Sequence, residues 1–174
     1  MYRAIVGITF FVLSMNAQTV VESIVAKVDD VVILYSDVLQ EGALLNLENG
    51  LPIQTPLSPD FKQKVLDSLI ARAILLGEAR DRGLSVSEQM VSDMVTTYEK
   101  LPYLSEFLKR FELTSGEFRI LVKRRLLARL ACDDYLSRFF SGRPTPTEEE
   151  KRQAAEKWIE TLRKKHRILY YSLP

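Results

Sequence analysis

The chain has 174 residues, of which 47% are hydrophobic and 27% charged, with a formal net charge of +1. That is the composition of a globular domain with a real core, so disorder of the body is excluded and bulk charge gives no reason to expect a polyanionic partner. A single cysteine, Cys132, excludes an intramolecular disulfide, so the protein must hold itself together by packing.

The N-terminus reads Met1-Tyr2-Arg3, then an apolar stretch from Ala4 to Met15, then Asn16-Ala17-Gln18. This is the pattern of a signal peptide over residues 1–17 with cleavage after Ala17, although Met15 is bulkier than that position favours. The apolar stretch is short for a transmembrane helix, and an uncleaved anchor is the competing reading. Residues 18–174 are expected to form one domain.

Ile24-Val25-Ala26-Lys27-Val28 and Val31-Val32-Ile33-Leu34-Tyr35 are β-branched, apolar runs separated by Asp29-Asp30, a hairpin pattern. An isolated hairpin is marginal in water and needs a third strand or a cover. His166 to Tyr171 supplies an extended pattern at the other end of the chain. Helices are expected between them. The first runs from Ser36, read as its cap, to about Leu47. A loop with Asn49-Gly50, Pro52 and Pro56 follows. Ser58-Pro59 reads as cap and first residue of a helix to Arg82, apolar nearly all round in its middle and closed by Gly83. Ser85 with Glu88 fits a capping box and Ser87 alone is the other candidate; the stripe that follows is Met90, Val91, Met94, Val95 and Tyr98. Leu101-Pro102 breaks it. A short helix spans about Leu104 to Phe111. Thr114 with Glu117 boxes the start of the longest helix, to about Phe140, with Phe118, Leu121, Val122, Leu126, Leu130 and Leu136 inward. Cys132 falls in this run and reads as a buried structural thiol. Pro144 and Pro146 mark a linker, and Thr147 caps a last helix to about Lys164. The expected class is mainly α, with a small antiparallel sheet that joins the two ends.

This order of elements resembles the core module of SurA-type periplasmic chaperones, which is related to the helical chaperone part of trigger factor. Four stretches carry the resemblance: Val25 to Val38, with Ser36-Asp37-Val38 opening the first helix; Leu66 to Ile70 through Gly83-Leu84-Ser85-Val86-Ser87-Glu88; Phe107 to Tyr135, with the basic run Lys123-Arg124-Arg125; and Trp158 to Tyr171. It implies a helical chaperone module whose last strand pairs with the first hairpin. Members usually carry parvulin-type prolyl isomerase domains between the long helix and the closing helix. Here that gap is Ser141 to Thr147, and a domain needs roughly 50 residues, so isomerase activity does not carry over.

The residues themselves offer little catalytic chemistry. The seven glycines are scattered and make no phosphate-binding loop, so any chaperone action is expected to be independent of nucleotide, with no cofactor. One histidine, His166, cannot build a histidine metal cluster or a catalytic triad. Asp29-Asp30 suits a turn, and Asp133-Asp134 point to different faces of a helix, so neither is an acid–base pair. The basic residues Arg119, Lys123, Arg124, Arg125 and Arg129 read as a solvated helix face rather than a nucleic-acid patch. Met90, Met94, Tyr98, Leu101, Tyr103, Phe107 and Phe111 are dense in aromatic and methionine side chains around a helix break. They are either plain core or, in part, a groove for extended apolar peptides. The function expected is an ATP-independent periplasmic holdase; unfolded outer-membrane proteins as clients are what the resemblance implies. Weak self-association is compatible with it; a small-molecule substrate or nucleic acid is not expected. The alternative is a non-catalytic adaptor or structural subunit of a cell-envelope complex.

Overall fold

The computed structural model describes residues 22–174. The signal-peptide reading falls on residues outside that range. Within it the chain forms β1 (Ile24–Val28), β2 (Val31–Leu34), α1 (Tyr35–Glu48), α2 (Pro59–Asp81), α3 (Glu88–Glu99), α4 (Leu104–Arg110), α5 (Ser115–Phe139), α6 (Glu148–Arg163) and β3 (Ile168–Tyr170).

The two ends do meet in one sheet, in the order β2-β1-β3, with both pairs antiparallel. Val28 pairs with Val31 across the turn and with Ile168 on the other side. Asp29 takes a left-handed φ of 50° in that turn, a conformation aspartate tolerates better than most residues. It also fastens the closing strand. Its carboxylate lies 2.6 Å from His166 Nδ1 and accepts the Arg167 N–H at 2.9 Å, while its own N–H donates to the Arg167 carbonyl. The bond to His166, then that from Arg167, hold the Asp29 carboxyl below its ordinary value.

Helix starts follow the sequence closely. Ser58 accepts the Phe61 N–H with Pro59 at the first helical position, and both Thr114 and Thr147 close full capping boxes with Glu117 and Glu150. Two starts differ. Ser87, not Ser85, caps α3. Helix α1 begins two residues early, with Leu34 rather than Ser36 at the cap position and its N–H taken by Asp37, because the strand runs straight into the helix and leaves Ser36 inside the first turn, where it donates to Glu22. Gly83 ends α2 with a φ of 64°.

The central helix α2 packs on α1, α5, α6 and the sheet. Two hydrophobic clusters result. One joins the sheet, α2, α6 and the second half of α5, around Val25, Ile70, Ile74 and Trp158. The other joins α1, α3, α4 and the first half of α5, around Leu44, Phe107, Phe118 and Val122.

Candidate functional site

The aromatic and methionine set around the α3–α4 break divides into two kinds. Phe107 is fully buried and Tyr98 nearly so; both pack their rings on Phe118, with centroids 6.3 and 5.4 Å away. Met94, Leu101 and Phe111 line the same cluster at its margin, whereas Met90 and Tyr103 are exposed. Tyr103 enters α4 with a left-handed φ of 68°, unusual for an aromatic residue, which turns its ring outward. Only the margin of the set is therefore accessible, and Tyr98 and Phe107 serve the core.

Between the two clusters lies a buried charge network that the sequence reading did not anticipate. Glu41 on α1 is only 3% exposed. Arg72 on α2 grips it with two hydrogen bonds, of 2.7 and 2.5 Å, and Arg125 on α5 adds a third of 2.5 Å. Arg125 also bonds both oxygens of Glu48, at 2.7 and 2.8 Å, and the Tyr98 hydroxyl donates to Glu48. Burial pushes the Glu41 carboxyl up, but the hydrogen bonds and charges of Arg72 and Arg125 outweigh it and hold it below its ordinary value. Burial and the bond to Glu48 push the Tyr98 hydroxyl well up. Arg125 is thus a correction to the solvated basic face. Its neighbours Arg119 and Lys123 fit that face better, pairing with Glu88 across to α3. Cys132 is half-buried, and desolvation raises its thiol, which lowers its reactivity.

On one side of this network the surface opens into a groove of about 450 Å³. Its floor is Leu69, Ala73 and Leu76 of α2; β2 forms one wall and Ile120, Leu121 and Arg124 of α5 the other. At its lip Val31, Val32 and Ile120 are 48%, 43% and 53% exposed, large apolar side chains left in water. Asp37 also faces the groove, and burial pushes its carboxyl above the ordinary value. A volume of this size is in the range of sites that take small ligands or a few apolar side chains. The sequence did hold a signal for it. Adjacent valines in a strand point to opposite faces, and Ile120-Leu121-Val122 spreads over too wide an arc of a helix to be buried whole. Among the described residues there is no cluster of acidic, histidine or cysteine side chains placed to hold a metal, and no helix is long and apolar enough to cross a membrane.

The described residues thus form a helical body closed by a three-stranded sheet, with an open apolar groove between β2, α2 and α5. The chain matches the SurA-like N-terminal domain over residues 2–130 and belongs to that family. It is also 34% identical over 87 residues to Chaperone SurA of Buchnera aphidicola subsp. Acyrthosiphon pisum (strain APS), a stretch covering 49% of this chain and 20% of that protein. The relation is thus to a chaperone family, and the match spans a fifth of that relative's length. The family match ends inside α5, so α6 and β3 lie beyond it while packing on the matched part.

Proposed function

We propose that this protein is a nucleotide-independent holdase of the periplasm that binds unfolded polypeptides, with outer-membrane proteins as the client class. The observation that carries this reading is the open groove over α2, whose lip leaves Val31, Val32 and Ile120 exposed. Membership of the SurA-like family supports it. The exposed Met90 and Tyr103 at the α3–α4 break, with the half-buried Met94, Leu101 and Phe111, give a second patch for sequence-tolerant apolar contacts. A holdase must bind weakly enough to release, and micromolar affinity, about 8 kcal/mol, suits that task.

The test is light scattering by a denatured outer-membrane barrel protein diluted into buffer with the chain in molar excess and no nucleotide. Suppressed scattering is expected, and Ile120→Asp should weaken it without lowering the melting temperature. Unchanged scattering with excess wild-type protein would instead favour an adaptor role in an envelope complex.

A further inference from the structure

We propose that an extended polypeptide adds to β2 as a fourth strand, setting alternate apolar side chains into the groove and a carboxylate side chain against Arg124. This rests on reading the groove as the client site. Among the described residues β2 is an edge strand, hydrogen-bonded only to β1. The Tyr35 N–H donates to the Ser23 carbonyl, toward β1, while the Leu34 N–H is turned away and taken by Asp37 at 2.8 Å. Backbone groups alternate sides along an antiparallel strand. Ile33 and Val31 therefore face β1, and Val32 turns its N–H and C=O outward. No other described element uses that pair. Val32 also lines the groove. Main-chain bonds there would supply affinity, and the apolar floor would select alternate side chains. The other edge, β3, offers no such floor: the hollow beside it is lined by Lys27, Asp29, Asp30 and Arg167. With four residues in β2, the added strand is short.

Charge decides what flanks the apolar residues. The three acids of the groove are already engaged: Asp37 by the Leu34 N–H, Glu41 by Arg72 and Arg125, and Glu117 by Thr114. Arg124 lines the same groove, is exposed, and makes no ion pair or hydrogen bond among the described residues. The uncommitted charge is positive, so the favoured segment carries an Asp or Glu beside its apolar residues, and one flanked by lysine is disfavoured.

The experiment uses the full chain and fluorescent heptapeptides with Val or Leu at alternate positions, blocked ends, and either one Asp or one Lys as flank. Each peptide amide is N-methylated in turn. The expected result is a single sensitive position, with methylation of the amide that pairs with Val32 costing about tenfold or more in affinity and its neighbours costing little. Val32→Pro should weaken binding similarly while the fold survives, because proline is tolerated where the N–H faces outward on an edge strand. Arg124→Glu should reverse the preference from Asp to Lys. Binding in which no single amide is sensitive to methylation, or with unchanged charge preference in Arg124→Glu, overturns the strand-addition proposal and leaves the holdase reading standing. So does suppression of client aggregation by a protein that binds no heptapeptide. A concentration-dependent dimer that Val32→Pro abolishes would assign the edge to a second copy, and overturn it too. A protein that neither binds peptide nor holds client fails both readings.

Discussion

Glu41 shows how one side chain can decide the stability of the molecule. A carboxylate in an apolar interior is costly unless both charge and hydrogen bonds are matched, and here two guanidiniums match it. Removing Glu41 leaves Arg72, largely buried, without its carboxylate and Arg125 with Glu48 alone. Glu41→Gln is therefore expected to cost about 3–5 kcal/mol in urea denaturation at neutral pH, far more than an exposed pair would. The pH dependence has a definite sign. The folded value of Glu41 lies below its unfolded value, so its contribution is present above the ordinary carboxylate range and is lost as pH falls through the lowered folded value. The gap between wild type and Glu41→Gln should narrow across that acid window; a constant gap would refute the assignment. The network was legible in principle. Val38, Glu41, Leu45 and Glu48 fall at spacings of three and four, so two acids share a stripe with apolar neighbours, and Arg72 interrupts the apolar middle of α2. What one sequence lacks is the third dimension: nothing in it says that Arg125, in a basic run, is the residue that turns inward.

Element starts and ends are where local chemistry speaks loudest, and there the sequence pattern and the structure agree at most positions. Hydroxyl caps with a glutamate three residues on satisfy orphan N–H groups within four residues of chain, so no tertiary knowledge is needed. Thr114 and Thr147 bear this out, as do Ser58-Pro59 and the glycine after α2. The misread start of α1 has the opposite cause. There the hairpin geometry pulls Leu34 into the cap position and Asp37 reaches back to its N–H, a choice made by the sheet. The groove is harder still to read, because it is the space left between β2, α2 and α5 and belongs to no single element. Thr114→Ala and Thr147→Ala should each cost about 1 kcal/mol. The second should also loosen the sheet, since α6 positions β3. Hydrogen exchange of the Asp29 and Tyr171 amides, which bond to the Arg167 and Val25 carbonyls across β1 and β3, is then expected to speed up in Thr147→Ala and stay unchanged in Thr114→Ala. Equal effects of the two variants on the sheet would mean that β3 is held by Asp29 and His166 alone.

At the scale of the whole molecule, the two hydrophobic clusters raise the question whether they unfold together. Each is large enough to suggest a subunit of structure: one around the sheet and Trp158, the other around Phe107 and Phe118. Three features bind them into one. Helices α1 and α5 are continuous through both, Leu127 packs against both, and the Glu41 network bridges α1, α2 and α5 between them. Opening one cluster alone would expose half of α5 and strip the network of a partner, leaving charge buried in the remainder. A single transition is therefore expected. The only tryptophan reports on the first cluster, where Trp158 stacks on Tyr135 at 4.2 Å under the Arg82 guanidinium, while far-UV circular dichroism averages over the helices α1 to α6 of the described residues. The two signals should share one midpoint in urea for the wild type. Glu41→Gln should move both midpoints down together, since Arg72 loses its carboxylate and the bridge from α1 to α2 and α5 is weakened. Tryptophan fluorescence that changed at lower urea than the helical signal would show the terminal sheet and α6 to be a separate, weaker unit. In that event the groove, which draws its walls from β2 and α5 and its floor from α2, would come apart before most of the helices melt, and client binding would fail at a lower denaturant concentration than the fold.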